Sequence, residues 1–212
     1  MQKITNWVGL ASGTGTIFDF MFIGGLTLPK FVVVDQECEA ADKAQARGIE
    51  VIMMPREGKF NVVAGCNQER RRYTLEVAEL LKERGIELVV MAGWMTVFAG
   101  EMFSPKYFLG RILNTHPSLL PEFKGHQAVR DALAAKASVT GCTVHIATAS
   151  LDDGPILGQR EVPIETSESE DHLHERIKRQ ERPLYTEIVR QILAGELDLD
   201  AIWADWKARQ PA

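Results

Sequence analysis

Ile4-Thr5-Asn6-Trp7-Val8-Gly9-Leu10-Ala11-Ser12-Gly13-Thr14-Gly15-Thr16 is the stretch that decides the fold. An apolar run of strand length ends in a loop with two glycines, and residues 17–25 then read as a helix opened by that loop. The same alternation continues outward. The β-branched run Phe31-Val32-Val33-Val34, within 30–35, reads as a buried strand. Residues 39–47 are rich in Ala and charge and read as a helix stopped by Gly48. A strand over 50–54 ends at Pro55, and the polar stretch 56–67 reads as a loop. Tyr73, Val77, Leu80 and Leu81 have the spacing of one helix face within 68–84, stopped by Gly85. Strands follow over 87–92 and 111–114. Strands separated by helices imply a mostly parallel sheet.

The later pattern is different. Two β runs, 140–148 and 156–164, are joined only by the turn composition Ser150-Leu151-Asp152-Asp153-Gly154-Pro155, which predicts an antiparallel extension. Residues 168–193 read as one long helix with Leu173, Ile177, Leu184, Ile188 and Ile192 on one side. Ser167 with Glu170 fits a capping box, and Pro183 predicts a kink or break near Arg182. Trp203 and Trp206 in the tail are expected to pack back on the body. The fold class is therefore α/β: an open, mostly parallel Rossmann-like sheet flanked by helices, extended antiparallel in its C-terminal half. The expected organisation is one domain over 1–212. It comprises a phosphate-binding half (1–110), a catalytic half (111–195) and a tail (196–212).

Composition narrows the function. The 212 residues are 45% hydrophobic and 25% charged, values of an ordinary globular protein. With 24 basic against 29 acidic residues, the net charge of −5 argues against a nucleic-acid binder. No apolar run approaches the roughly 18 residues of a membrane span, and no signal pattern opens the chain, so the cytoplasm is expected. Cys38, Cys66 and Cys142 are odd in number, far apart and without a C-x-x-C, which speaks against disulfides and structural zinc. No metal site is expected. His172 and His174 diverge on a helix, and Arg70-Arg71-Arg72 is too short for a nucleic-acid patch, although one arginine suits a carboxylate.

Three stretches carry chemistry. The loop with Gly13 and Gly15 places backbone N–H groups at a helix start, where a phosphate is favoured; a tight turn that binds nothing is the plainer alternative. It is neither a Walker A loop nor a full dinucleotide fingerprint, since Phe18 stands at the third glycine position. Asn114-Thr115-His116-Pro117-Ser118-Leu119-Leu120-Pro121 is sharper. Asn114 and His116 are two apart on a strand and project together, as a donor pair for an oxygen that turns negative in acyl transfer. Pro117 and Pro121 stiffen the exit. Asp152 lies in an acidic turn of a kind usually solvated, yet its carboxylate could reach His116 and relay a proton. His145, inside an apolar run, reads as a core or wall residue.

These residues, with Gly141-Cys142-Thr143-Val144-His145 and Leu151-Asp152-Asp153-Gly154-Pro155-Ile156, resemble the formyltransferases that use 10-formyltetrahydrofolate, from the glycine loop to about Leu193. Phe123-Lys124-Gly125-His126, Gln180-Glu181 and Tyr185, with the short chain, point within that family to purine synthesis and the acceptor 5-phosphoribosylglycinamide (glycinamide ribonucleotide). The resemblance implies that Asn114 holds the formyl oxygen, His116 stabilises the tetrahedral intermediate, and Asp152 pairs with His116 and assists proton transfer. It implies ribonucleotide contacts at Gly13, Gly15, Thr16, Ile17, Pro117 and Glu181. It implies folate contacts at Met95, Thr96, Val97, Phe98 and Asp152, and an arginine at the folate glutamate tail, Arg70. The chain departs from the family where Thr16-Ile17 replaces Ser-Asn in the loop, and where Met95-Thr96-Val97-Phe98 replaces Met-Arg-(Ile/Leu)-Leu. The expected partners are small molecules, not nucleic acid or membrane, acting on a monomer or homodimer. Another amine acceptor such as an amino sugar nucleotide, hydrolysis of the formyl folate, and a silent folate- or nucleotide-binding protein remain alternatives.

Overall fold

A computed structural model describes residues 3–56 and 68–210. Seven strands form one sheet: β1 (Trp7–Ala11), β2 (Val32–Val34), β3 (Val51–Met53), β4 (Leu88–Met91), β5 (Ile112–His116), β6 (Val139–Ile146) and β7 (Ile156–Pro163). Their order is β3-β2-β1-β4-β5-β6-β7. The first five run parallel, and β6 and β7 are antiparallel, as the closeness of the last two β runs predicts. The helices are α1 (Thr16–Ile23), α2 (Glu39–Gln45), α3 (Gln68–Glu83), α4 (Ala128–Ala134), α5 (Glu170–Ala194) and α6 (Leu199–Ala208). The chain leaves β1 toward β2 and later returns to its other side as β4. The sheet order therefore reverses at β1, and ligands of such sheets gather at the carboxyl ends beside this point.

Period-two alternation divides the core. Trp7, Leu88, Val90 and Leu113 face α1 and α5, packing with Ile17, Phe18, Ile177 and Ile188. Val8, Leu10, Val89 and Ile112 face α3, packing with Tyr73, Val77 and Leu81. Gly9 is required on the α1 side, because a Cβ there would lie 2.6 Å from the Phe18 ring. The expected loop 56–67 lies outside the described residues apart from Arg56, as does Cys66.

Two expectations for the long helix are corrected. Its N-cap is Ser169, whose Oγ accepts from His172 N, and Ser167 instead adopts φ +61°. Glu168 takes the Glu165 N–H and pairs with Arg176, so the helix is capped two residues later than the capping-box reading implied. The helix also runs unbroken through Pro183. A proline inside a helix costs roughly 3 kcal/mol. Ile177, Leu184, Tyr185 and Ile188, all buried against the sheet and α1, outweigh that cost. In the tail, α6 lies near the start of β5. Trp203 comes within 3.2 Å of the Cβ position of Gly110, and Asp200 pairs with Arg111.

Candidate active site

β5 sorts the site by parity. Ile112 faces α3 and Leu113 faces α1 and α5, so Asn114 and His116 return to the α3 face and Thr115 to the other. The strand extends two residues beyond the expected end, through His116, because β6 pairs with it up to His116↔Thr143. Asn114 stands opposite His145 in this register, and its Nδ2 lies 3.4 Å from His145 Nε2. The turn after β6 brings Asp152 in at φ +51°. Gly154 makes that turn possible: a Cβ there would sit 1.7 Å from the Ile146 carbonyl oxygen.

Asp152 is buried against both imidazoles. Its Oδ2 is 3.4 Å from His116 Nδ1, and its Oδ1 is 3.8 Å from His145 Nε2. The loop at Phe123–Gly125 braces the same groups. The Phe123 carbonyl lies 2.8 Å from His116 Nε2, and Gly125 N–H donates to Asp152 Oδ2 at 2.9 Å. Lys124 ties this loop to the turn through Asp153, at 2.5 Å.

These contacts fix where protons reside. A carbonyl only accepts, so His116 Nε2 donates to Phe123, and Nδ1 carries a proton toward Asp152 only as an imidazolium. His145 Nδ1 likewise donates to the Ile146 carbonyl at 3.2 Å. Burial holds His145 below the usual histidine range, opposed by the Asp152 carboxylate, so it is neutral at pH 7. Its Nε2 lone pair then accepts one N–H of Asn114, leaving the second amide N–H for a ligand oxygen.

A cleft opens against this cluster. One wall is Met95, Thr96, Val97 and Phe98; the other includes Ala147, Ala149 and Leu151; Asn114, His145 and Asp152 lie in it. Met95 and Leu151 are exposed at its lips. Arg70 is not among its lining residues. It begins a turn of α3 whose Thr74 hydroxyl donates to the Arg70 carbonyl and accepts from Ala99 N–H, which sets it beside the end of the Met95–Phe98 wall.

The other face of the sheet carries the remaining predicted residues. Gly15 takes φ +65°, with Ala40 only 2.8 Å from its Cβ position, whereas Gly13 has nothing within 4 Å. Lys43 Nζ donates to the Thr14 carbonyl and steadies the loop. Ile17 is in the core, so it offers the loop a backbone N–H and no polar side chain. Pro117, half-buried, directly follows β5. Glu181 of α5 is buried and accepts from Thr115 Oγ1 at 2.8 Å; burial pushes its carboxyl pKa up.

Known proteins decide the family. The formyl transferase family model matches residues 8–189. The chain belongs to the formyl transferase family. This formyl transferase is 39% identical over 181 residues to phosphoribosylglycinamide formyltransferase of Mycobacterium tuberculosis (strain CDC 1551 / Oshkosh), covering 84% of this chain and 80% of that one. To the Escherichia coli K12 protein of the same name it is 31% identical over 173 residues, covering 81% of each. Glycinamide ribonucleotide transformylase 1 from Symbiobacterium toebii superposes with a TM-score of 0.80 at 31% identity, covering 92% of this chain and 90% of that chain. Among the site residues of this formyl transferase, His145 is the one that sequence reading passed over. The signal was its place in the quoted block Gly141–His145, which only the β5–β6 register converts into contact with Asn114.

Proposed function

We propose that this formyl transferase moves the formyl group of 10-formyltetrahydrofolate to the amine of 5-phosphoribosylglycinamide, a step that builds a purine precursor. One observation carries the reading: Asn114 and Asp152 line an apolar-walled cleft and His116 pairs with Asp152, while Thr115 and Glu181 mark the opposite face of the same strand. The apolar lining at Val97, Phe98 and the 147–151 wall suits a flat folate ring. The Gly13–Thr16 loop and Glu181 suit the phosphate and ribose of the acceptor.

In the mechanism the acceptor amine attacks the formyl carbon, and the carbonyl oxygen becomes an oxyanion. The free Asn114 N–H donates to it, such a donor being worth about 3 kcal/mol of barrier, and His116 turns its Nε2–H from the Phe123 carbonyl toward the same oxygen as the charge develops. Asp152 lies against His116 Nδ1 and accepts the amine proton through water. That proton passes to N10 as the C–N10 bond breaks, so the formyl group leaves one nitrogen for the other with no change in protonation of the enzyme. No membrane or nucleic-acid partner enters this reading. Among the described residues, no helix is long and apolar enough to cross a membrane.

The test is formyl transfer followed with both substrates and with the acceptor omitted. Turnover is expected only with both. Asn114→Ala and His116→Ala should each lower kcat about 10²-fold in a folded protein. Turnover without acceptor would replace this reading with hydrolysis, and binding of both ligands without turnover would mark a silent module.

A further inference from the structure

His116, Thr143 and Gln159 form one row across β5, β6 and β7, for His116 pairs with Thr143 and Thr143 with Gln159. Directly opposed residues share a face, so all three stand on the α3 face. The chain leaving β5 folds over this row as a strap, and its residues Ser118 and Leu120 are buried. Thr143 Oγ1 donates to the Ser118 carbonyl at 2.6 Å and accepts from Leu120 N–H at 3.0 Å. Gln159 Nε2 donates to the same hydroxyl oxygen and to the Leu120 carbonyl, both at 2.9 Å. The hydroxyl thus uses its one donor and both lone pairs, and the amide uses both N–H groups. Among the described residues no other group donates to the Leu120 carbonyl. Beyond Leu120 the strap closes on itself: Glu122 N–H donates to the Leu119 carbonyl, and Ser118 Oγ to the Glu122 carbonyl at 2.6 Å. Phe123 comes next at φ +52°, a region that a non-glycine residue holds only under outside contacts. Its carbonyl is the one beside His116 Nε2. Gly125 ties the far end of the strap to Asp152.

Resting on the formyl-transfer reading of the site, we propose that Gln159 is a positioning residue for His116. It fixes the Leu120 carbonyl, the strap carries that constraint to Phe123, and the Phe123 carbonyl sets the resting direction of the His116 Nε2–H. This N–H must leave the carbonyl for the oxyanion, so the reaction needs the carbonyl held in one place while the ring turns. Without the amide, the buried Leu120 carbonyl is left unpaired, and movement of the strap is the way to relieve it. Gln159 itself stands on the outer strand of the sheet and is not among the residues of the cleft. Its loss therefore acts on the turning of His116 and not on substrate binding. Thr143 still holds Ser118 when Gln159 is replaced, so Pro117 keeps its place.

Initial rates and histidine NMR test this. Gln159→Met keeps the length of the side chain and removes both donors. It should lower kcat about tenfold and leave KM for the formyl donor and the ribonucleotide within about twofold. Gln159→Glu sets a carboxylate against the Leu120 carbonyl and should lose at least as much, whereas a packing role would spare it. In protein carrying isotope-labelled histidine and no substrate, the His116 ring N–H is assigned by its absence from His116→Ala. It should be protected from exchange in the wild type and lost in both Gln159 variants, while the His145 Nδ1–H persists as a control. Melting temperatures should stay within about four degrees. A lower melting temperature with unchanged kcat overturns the proposal, as does a KM that rises in step with the loss of kcat, or a His116 signal that is the same in the wild type and both variants. If the wild type transfers no formyl group, the transfer reading falls, and the His116 signal alone decides the role of Gln159.

Discussion

At the scale of single residues, burial decides which groups are used charged and which neutral. His145 has its native pKa below the unfolded value because its imidazolium is desolvated. As pH falls below about 6.5, the unfolded chain takes up a proton that the native site refuses, so stability is lost. His145→Gln removes that uptake. The variant's melting temperature should fall less than the wild type's between pH 7.5 and 5.5, and an equal fall would contradict the neutral assignment. The same variant should lower kcat about tenfold, since Asn114 loses the partner that aims its amide. Glu181 is the opposite case. Its native pKa is raised, so the stability it contributes is complete below about 4.5 and lost as pH rises through the native value. Glu181→Gln keeps an acceptor for Thr115 and drops the buried charge. It should raise the melting temperature at pH 8 while raising KM for the ribonucleotide; a lower melting temperature would show that the charge is stabilising. Asn114 and His116 stood out as a same-facing polar pair at a strand end just before Pro117, whereas Asp152, in a turn of a usually solvated kind, joined them only through the family resemblance. His145 did not stand out, because its role depends on which residue of β5 it faces, and register across 31 residues is not written locally.

At the scale of elements, local pattern and tertiary packing can be seen to compete. The strands and α1, α2 and α3 were legible because each carries its own periodicity and stop signal. The end of α5 next to Ser167 was not, since Glu168 satisfies the Glu165 N–H and Arg176 together and moves the cap to Ser169. Pro183 misled for a related reason: a local penalty is fixed, whereas the packing that overrides it comes from distant strands. The two glycine turns differ in a way that can be measured. A Cβ on Gly154 would collide with the backbone oxygen of Ile146, so Gly154→Ala should cost upward of about 2 kcal/mol and displace Asp152, lowering stability and kcat together. Gly13 faces open space. Gly13→Ala should leave the melting temperature within about two degrees. It should still raise KM for the ribonucleotide about tenfold by blocking close approach to the loop N–H groups. A Gly13 variant with wild-type KM would leave the loop as a turn that binds nothing.

At the scale of the whole molecule, the sheet itself separates the two substrates. The folate cleft lies on the α3 face, and the glycine loop and Glu181 lie on the face of α1 and α5. Only the carboxyl end of β5, with Asn114, Thr115 and His116, belongs to both. This arrangement suits transfer in one encounter, with donor and acceptor bound together. The alternative is a formyl group parked on the protein, which needs a nucleophile at the junction. Cys142 lies on the strand beside β5, but it is fully buried and burial pushes its thiol up to about 12, so it supplies no thiolate. The imidazoles are committed as well: His116 to Phe123 and Asp152, His145 to Ile146 and Asn114. Initial rates measured at several fixed acceptor concentrations should therefore give intersecting double-reciprocal lines. Donor labelled in its formyl carbon and incubated without acceptor should leave no label on the denatured protein. Parallel lines with trapped label would require a covalent intermediate and a different use of this junction.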